Sequence, residues 1–321
     1  MSPSPVSEIK EFALGELGFS LVGIARAGRL PGSSRLRRWI RQGAHGEMRY
    51  MADTVAVRED SRRFLPDAAS VVCVAMSYHD PPDPPAQRTG PDRALIARYA
   101  RRADYHSVLR RRLVRLGRFL ASRVPGARWR PAVDTAPLLE RELAQQAGLG
   151  WIGKNSCLIN RSLGSELLLG ELVTDVPFPP DQPGRDHCGK CTACLAACPT
   201  TALSEPGWLD SRRCIAYLTI EHRGVLSAAQ KGWLGSHLFG CDLCQAACPW
   251  NTLAKESSSP SLALRPGLAD PRHSFLARLD EPGWNTWAAG TPLRRLSFAR
   301  FGRNLRAIAG NRAASRPSGT S

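Results

Sequence analysis

Eight of the ten cysteines in this chain of 321 residues lie between Cys188 and Cys248, and their spacing limits the possible folds more than any other feature. The first run begins at Cys188 and follows the pattern C-x2-C-x2-C-x3-C-P. The second run ends at Cys248 with C-x2-C-x3-C-P, and Cys214 stands alone between the two runs. The region therefore contains two nearly complete copies of one cysteine pattern.

This spacing is the one that binds four-iron four-sulfur clusters in bacterial two-cluster ferredoxins, where the fourth cysteine of each run ligates the other cluster. Three closely spaced thiolates reach three corners of one cluster, while the fourth, ahead of a turn-forming proline, points away from it. The sequence therefore predicts two adjacent 4Fe-4S clusters, and adjacent clusters imply electron transfer. The predicted ligands are Cys188, Cys191, Cys194 and Cys248 for the first cluster and Cys198, Cys214, Cys241 and Cys244 for the second.

Structural zinc and disulfide bonds are the alternatives for these cysteines. Zinc sites also use C-x2-C pairs, but they need neither the third cysteine nor the C-P ending. Disulfides need an oxidising compartment, and the first ten residues lack the basic and apolar regions of a signal peptide. No apolar run approaches the roughly 20 residues that span a bilayer. We therefore expect a cytoplasmic, monomeric protein with no membrane partner.

The chain is strongly basic, with a formal net charge of +16 and a pI of about 10.1. Of its 44 lysines and arginines, all but five are arginine. Such a charge attracts polyanions over a long range, although the nucleotide composition of a genome can also enrich arginine. The charge favours a nucleic-acid partner over a surface that is basic only for solubility.

Hydrophobic periodicity predicts an α/β arrangement for the first part of the chain. A long helix is expected from Asp104, a suitable N-cap, to about Val124, with leucines on one side and arginines on the other. Cys73 is expected in the core because a free cysteine behaves as a small hydrophobe. Strands are predicted over residues 19–25, 70–78, 129–133, 148–160 and 166–174, and helices over residues 5–17, 34–41 and from about Leu138.

Asp134 is the candidate acid that position alone suggests. It follows a predicted strand and precedes a predicted helix, which is a place where catalytic side chains often lie. A turn or N-cap role is the more common explanation for an aspartate there. Position alone leaves both explanations open.

Two linkers are indicated by composition, at residues 176–184 and 256–260. They divide the chain into predicted domains of residues 1–175, 176–255 and 256–321. The last is expected to be helical and basic, with a disordered polar tail after Asn311.

Several segments outside the cysteine runs are also distinctive. They are Arg98, Asp104-Tyr-His106, Asp134-Thr-Ala-Pro-Leu-Leu-Glu-Arg141, Gly150-Trp-Ile-Gly-Lys-Asn155, Gly170-Glu171, Tyr217-Leu-Thr-Ile-Glu221, Gly240-Cys-Asp-Leu-Cys-Gln245 and Cys248-Pro-Trp-Asn251. Together with the cysteine runs, they resemble the epoxyqueuosine reductases, which are cobalamin-dependent iron-sulfur enzymes of tRNA queuosine synthesis. The resemblance covers roughly residues 5 to 253 in register.

This resemblance implies a fold and an activity. The fold would be an α/β (α+β) nitroreductase-like cobalamin-binding domain, a two-cluster ferredoxin-like domain and a short α-helical, HEAT-like C-terminal region. The activity would be reduction of epoxyqueuosine to queuosine at the wobble position of tRNA. Electrons from an external donor would pass through two 4Fe-4S clusters to cobalamin, whose cobalt in the Co(I) state acts on the epoxide-bearing ring. Asp134 matches the proton donor of the family.

The resemblance also implies a cobalamin site. Its contacts would be Arg58, Asp134, Lys154, Asn155, Ser156, Gly240 and Asp242. The plain alternatives are a surface charge for Arg58 and a backbone turn for Gly240. An acid beside a strongly nucleophilic metal suits an epoxide, whose oxygen must be protonated as the ring opens. We expect a buried Asp134 carboxyl, kept neutral by desolvation, to donate that proton.

Two other functions share some of these features. A corrinoid-dependent reductase of a small molecule would have the same pair of domains, but the strong positive charge favours tRNA. A ferredoxin-type electron-transfer module would explain the cysteines but would leave about 180 N-terminal residues without a function.

Overall fold

The computed structural model describes residues 4–80, 92–257 and 259–314. Within these ranges the strands are β1 (Leu21–Arg26), β2 (Ser70–Ser77), β3 (Leu95–Ile96), β4 (Trp129–Ala132), β5 (Trp151–Ile152), β6 (Leu158–Ile159), β7 (Leu167–Thr174) and β8 (His237–Phe239). Four of them form one antiparallel sheet in the order β1-β2-β7-β4. The predicted central strand is confirmed, because β2 lies inside this sheet and all eight of its residues are buried.

Most helices of the described residues are short. Their bounds are Pro5–Glu11, Ser33–Arg41, Arg49–Asp53, Val55–Glu59, Tyr105–Arg123, Glu140–Gln146, Ala193–Ala196, Ile215–Ile220, Ala228–Leu234, Leu243–Ala246, Pro249–Thr252, His273–Leu276, Glu281–Trp287 and Phe298–Ala314. The helix predicted from Asp104 is confirmed: the Asp104 side chain accepts the backbone N–H of His106 at 3.0 Å, which satisfies one of the free donors of the first turn. No helix in the described part of the chain is long and apolar enough to cross a membrane.

Each face of the main sheet is covered by a helix. The leucine side of Tyr105–Arg123 packs on one face, with Leu109, Leu113 and Leu116 fully buried. The shorter helix Glu140–Gln146 covers the other face, where Cys73 of β2 is buried in the core as predicted. Burial of each leucine contributes about 1.5–3 kcal/mol relative to exposure. This double cover explains why β2 has no polar face.

The strand predicted over residues 148–160 is wrong in detail, because the chain turns back within it. Trp151 pairs with Ile159 in a two-stranded antiparallel hairpin of β5 and β6. The backbone N–H of Gly153 donates to Cys157 at 2.8 Å, and Ser156 has a positive φ of 64°. This tight turn presents Lys154, Asn155 and Ser156 at its tip.

Packing crosses the predicted domain boundaries. Strand β3 from the first predicted domain pairs in parallel with β8 from the second. A third core then joins Ile96 and Phe239 from these strands to Trp284 and Phe301 of the C-terminal helices. The segment predicted as the first linker is also fixed in place: Asp181 accepts the backbone N–H of Ile24 at 2.7 Å. The division of the chain into domains at residues 175 and 255 therefore stays a prediction.

The final helix, Phe298–Ala314, continues past Asn311. The predicted disorder is therefore wrong for residues 312–314, while residues 315–321 lie outside the described part of the chain. The reason is local, because the Asn311 side chain donates to the backbone oxygens of Lys231 at 2.7 Å and Gly235 at 3.0 Å. Arg312 adds an ion pair with Asp92 at 3.3 Å.

Candidate functional site

The predicted ligands of the first cluster line a common cavity of about 170 Å³. They are Cys188, Cys191, Cys194 and Cys248. Burial raises the thiol pKa of both Cys194 and Cys248, and the neighbouring Cys188 raises each of them further. Among the described residues, no three His, Cys, Asp or Glu side chains are grouped to hold a single metal ion. The structure brings these four cysteines together from both ends of the cysteine region.

Nitrogen donors surround this cavity. The Trp151 indole N–H donates to Cys188 Sγ at 3.4 Å. The Lys154 ammonium donates to the backbone oxygens of Gly189 at 2.7 Å and Cys191 at 2.9 Å, and so braces the loop that carries the first two cysteines. Asn155 lines the cavity, and its buried Nδ2 has no hydrogen-bond partner among the described residues. N–H donors beside thiolates suit an anionic iron-sulfur cluster, so the residues present fit that group.

The predicted ligands of the second cluster form a separate group. The pKa of Cys241 is raised to about 12, first by burial and then by Asp242 and the neighbouring Cys214 and Cys198. The pKa of Cys244 is raised well above its usual value by burial, with Cys241 and Cys214 again nearby. All ten cysteines lie in the described ranges and none forms a disulfide. Cys157, which belongs to neither predicted group, also lies near Cys244, so the second set of ligands stays a prediction.

Asp134 lies just after β4 in a strained backbone conformation, with a positive φ of 47°. Its backbone N–H donates to the Glu140 carboxylate, six residues ahead on the next helix. Its carboxylate Oδ2 lies 3.0 Å from His106 Nε2, and His106 Nδ1 lies 2.6 Å from Asp104 Oδ1. The result is a hydrogen-bonded row of Asp104, His106 and Asp134, in which the imidazole lies between two carboxylates.

The charges in this row differ from the expectation for Asp134. Burial raises the pKa of Asp134, but the hydrogen bond from His106 and its charge outweigh burial and lower it overall. Burial lowers the pKa of His106, but Asp104 and Asp134 raise it to about 9. The Asp134 side chain is also 49% exposed. The expectation of a buried, neutral Asp134 is therefore wrong: at neutral pH the proton lies on His106.

Further polar side chains surround Asp134. Tyr105 lies beside its carboxylate and favours the ionised form of Asp134, after the larger effects of burial and His106. Tyr50 lies near enough for Asp134 to raise its pKa, after the larger effect of burial. Arg295 lies 2.7 Å from Glu221 as an ion pair, and its charge favours the ionised form of Asp134. The C-terminal region therefore contributes a cation to this site. Sequence reasoning missed Arg295 because it follows the segments that carry the resemblance.

The other predicted cobalamin residues fall into two places. Arg58 is only 7% exposed, so the alternative of a surface charge is wrong; it donates to Leu138 O at 3.2 Å beneath the Asp134 loop. Asp242 accepts the backbone N–H of Arg98 at 2.7 Å. Both Asp134 and Asp242 act on the hydroxyl of the half-buried Tyr99, whose pKa is raised mainly by burial. Arg58, Asp134 and Asp242 thus lie around one region.

Gly240 and the residues of the β5–β6 turn make contacts other than those of Arg58, Asp134 and Asp242. Gly240 has a positive φ of 71°, and a Cβ there would lie 2.5 Å from the Ala97 side chain, so glycine is required by packing. Its N–H donates to Thr219 at 2.9 Å. Lys154 and Asn155 line the first cysteine cavity, while the Ser156 carbonyl accepts from Arg141. The backbone-turn explanation of Gly240 is therefore supported by its geometry.

Known proteins resemble this chain over nearly its whole length. Residues 187–251 match the family model described as a 4Fe-4S double cluster binding domain, and residues 58–135 match that of epoxyqueuosine reductase QueG, DUF1730. The epoxyqueuosine reductase of Vibrio cholerae is 39% identical over 306 residues, which cover 95% of this chain and 83% of the relative. That of Pseudomonas aeruginosa is 40% identical over 299 residues, which cover 92% and 82%.

Two solved structures also match nearly the whole chain. One is an epoxyqueuosine reductase with an epoxyqueuosine-modified tRNA-Tyr stem loop, at 31% identity and a TM-score of 0.86. The other is the Bacillus subtilis epoxyqueuosine reductase with its catalytic loop swung out of the active site, at 29% identity and a TM-score of 0.87. Each match covers 97% of this chain and 82% of the solved chain.

Proposed function

Because this chain belongs to the epoxyqueuosine reductase family, we propose that the residues around Asp134 form the site at which it reduces the epoxide of epoxyqueuosine in tRNA. The chain is an oxidoreductase with a two-cluster 4Fe-4S domain, and its substrate is tRNA that carries epoxyqueuosine. The observation that carries the proposal is the hydrogen-bonded row of Asp104, His106 and Asp134, in which the two carboxylates raise the pKa of His106 to about 9. Removal of the epoxide oxygen as water consumes two electrons and two protons.

We propose that Asp134 delivers the first of these protons and that His106 supplies it. The imidazolium donates from Nε2 to Asp134 Oδ2, and Asp104 keeps the imidazole oriented through Nδ1. Because Asp134 is half exposed, its carboxyl is accessible to a bound nucleoside, whereas His106 is held against the protein. The catalytic loop of the Bacillus subtilis relative has been seen outside its active site. In this chain we propose the loop position with Asp134 on His106 as the active one.

The electrons are proposed to enter from an external donor and pass through the two groups of cysteines. Each cluster would be held by its predicted ligands, Cys188, Cys191, Cys194 and Cys248 for the first and Cys198, Cys214, Cys241 and Cys244 for the second. Cobalamin, when bound, supplies a cobalt centre that is a strong nucleophile once reduced. Arg58, Asp134, Ser156 and Asp242 are the proposed contacts, because guanidinium, carboxylate and hydroxyl groups suit its amide-bearing periphery.

Lys154 fits this cobalamin site poorly. Its ammonium is already occupied by two backbone oxygens of the first cysteine loop, and Asn155 lines the same cavity. We therefore assign both residues to the first cluster. Gly240 is assigned a packing role against Ala97. The HEAT-like character of the C-terminal helices also stays a proposal.

Lys154→Met is expected to weaken the first cluster while leaving the second intact. The loop that carries Cys191 loses two charge-assisted hydrogen bonds, each of which contributes about 1.5–3 kcal/mol. Iron and sulfide content of the purified, reconstituted protein should fall toward half. The matched control is Lys190→Met, because Lys190 is exposed on the same loop. Equal iron content in both variants would contradict the assignment of Lys154.

Activity is expected to fall as the pH rises through about 9, where His106 loses its proton. The raised pKa also means that the pair stabilises the fold fully below about pH 6.5 and ceases to do so above about 9. Asp104→Asn should move the alkaline limb of kcat to lower pH, because it removes one of the charges that raise the pKa of His106 while keeping a good N-cap. A limb that stays in place would argue against His106 as the proton source.

The tRNA surface is proposed on the outer side of the helix Tyr105–Arg123. Arg110, Arg111, Arg115 and Arg118 are exposed there. The C-terminal arginines are less available: Arg300 donates to the backbone oxygen of Ile220, and Arg303 donates to Leu218 and His222 at 2.8 Å each. These two arginines cap the end of the helix Ile215–Ile220. Any C-terminal part of the proposed tRNA surface is therefore limited to the remaining basic residues of that region.

The proposed function is tested by anaerobic reconstitution with iron, sulfide and cobalamin, followed by incubation with tRNA from cells that accumulate epoxyqueuosine. Nucleoside analysis should show conversion to queuosine when a chemical reductant and cobalamin are both present. Omission of cobalamin should abolish conversion while the cluster absorbance is unchanged. Conversion without cobalamin would remove that cofactor from the proposal.

A further inference from the structure

Beneath the Asp134 loop lies a pair of carboxyl groups that the proposed reaction does not use. Glu171, in the middle of β7, is 0% exposed. Neither of its carboxyl oxygens has a hydrogen-bond donor among the described residues. The ionisable group that acts on it most strongly is the carboxyl of Glu140, on the helix that covers this face of the sheet. Two neighbouring carboxylates repel each other when both are ionised in a buried place, so a proton on one of them is favoured.

The surroundings of the pair favour such a proton. Burial and the charge of Glu140 both raise the pKa of Glu171 well above its usual value. The other titratable groups near Glu171 are Asp134 and Cys73, and neither is a cation. Glu140 itself has a pKa of about 7, raised by burial and then by Asp134. Of the two carboxyls, Glu171 is therefore the one that keeps its proton.

Cations reach only the Glu140 side of the pair. Arg141 lowers the pKa of Glu140 slightly, and its guanidinium is bonded to the Ser156 carbonyl. Arg58 also senses the charge of Glu140. The described residues therefore place the positive charges beside Glu140 and not beside Glu171. This asymmetry gives the pair a direction, with Glu171 as donor and Glu140 as acceptor.

Glu140 has a second role that connects the pair to the reaction. It accepts the backbone N–H of Asp134, whose φ of 47° is rare for a residue other than glycine. Such a conformation persists only when its surroundings hold it. His106 and Tyr105 hold the Asp134 side chain, whereas Glu140 holds its backbone. Loss of the Glu140 contact would free the loop to leave the left-handed turn.

We propose that protonated Glu171 donates a hydrogen bond to Glu140, and that Glu140 in turn holds the Asp134 backbone in the turn that places its carboxylate on His106. Glu140 and Glu171 are thus positioning residues for the proton donor. The inference rests on the proposed function only in assigning Asp134 as the acid. The carboxyl pair itself is a property of the protein without cofactors or substrate.

Two variants of Glu171 separate this role from simple packing. In Glu171→Gln the side-chain amide can still donate to Glu140, so kcat should stay within about threefold of the wild type. In Glu171→Met the shape is similar but no donor remains, so kcat should fall on the order of tenfold or more. The Michaelis constant for tRNA should be unchanged in both. Thermal stability of the methionine variant should be equal or higher, because an apolar side chain replaces a buried carboxyl.

Two further readouts need no catalysis. Infrared difference spectra of the cofactor-free protein should show the carbonyl band of a buried protonated carboxyl, and both Glu171 variants should lack it. Hydrogen exchange of the peptide that contains Asp134 should be faster in Glu171→Met and in Glu140→Ala than in the wild type. If the methionine variant fails to fold, the infrared band of the wild type and the exchange rate of Glu171→Gln still decide the question.

The inference is overturned if the wild type lacks the band, or if Glu171→Met keeps wild-type kcat and slow exchange of the Asp134 peptide. The proposed function is judged separately. An active Asp134→Asn protein would remove Asp134 as the acid, even if the infrared band and the exchange rates were as expected. If Asp134→Asn is inactive and Glu171→Met is fully active, the proposed function is supported and the positioning role of the carboxyl pair is rejected.

Discussion

Asp134→Asn is expected to lower kcat for epoxyqueuosine reduction by about 10²- to 10⁴-fold, the range that one general acid contributes. The amide has the same shape and can still contact His106, but its N–H is far too weak an acid to protonate the epoxide oxygen as the ring opens. The Tyr105 and Glu140 contacts to this loop are not removed by the change. The measurement is single-turnover conversion of modified tRNA by protein shown to retain iron, sulfide and bound cobalamin.

The matched control for this variant is Asp67→Asn. Asp67 is another non-glycine residue with a positive φ, of 62°, and it pairs with Arg128 at 3.0 Å. Arg128 precedes β4, whereas Asp134 follows it, so the two aspartates lie at opposite ends of that strand. The control should keep full activity. Retained activity in Asp134→Asn would remove Asp134 as the acid and make His106 the candidate for that role.

Cys244→Ser is expected to abolish reduction of modified tRNA under conditions where the wild type turns over. The second cluster loses one of its four proposed thiolates, and serine is a poor ligand for iron in this oxidation range. Iron content should fall toward half, because the proposed ligands of the first cluster are untouched. Electron paramagnetic resonance of the dithionite-reduced protein should show the signal of one cluster and no coupling between two.

Cys157→Ser is the control for this change. Cys157 lies close to Cys244 and to Cys214, and burial raises its thiol pKa to about 11. It belongs to neither group of predicted ligands, and its N–H donates to the Asn155 side chain at 3.1 Å. Iron content and activity should therefore be retained. Loss of half the iron in Cys157→Ser, but not in Cys244→Ser, would show that Cys157 and not Cys244 is the ligand of the second cluster.

The sequence predicted best what depends on local spacing. The two groups of cysteines follow from fixed intervals along the chain, and the helix from Asp104 follows from its cap and its leucine period. Two other functions were open from the sequence alone, a reductase of a small molecule and an electron-transfer module. The relatives that match the chain outside the cysteine region are epoxyqueuosine reductases, and so favour neither of them. An electron-transfer module alone does not account for residues 58–135.

What the sequence could not predict depends on contacts between distant residues. The protonation of Asp134 is set by His106, which lies 28 residues earlier and reaches it only in the folded sheet. The pairing of Glu140 with Glu171 likewise joins a helix to a strand across the core. Arg58 was open to interpretation as a surface charge because nothing in its neighbours along the chain indicates burial. Such couplings have no local signature.

The parallel pairing of β3 with β8 has a consequence for how the protein is made. Leu95 and Ile96 find their partners about 140 residues later, and the third core is complete only when Trp284 and Phe301 have docked. Non-local pairing of this kind slows folding and leaves apolar surface exposed meanwhile. On the ribosome, β3 must wait for β8, and the third core must wait until the last helix has emerged. Misfolding during synthesis should therefore begin at residues 94–100, before any cluster has been inserted.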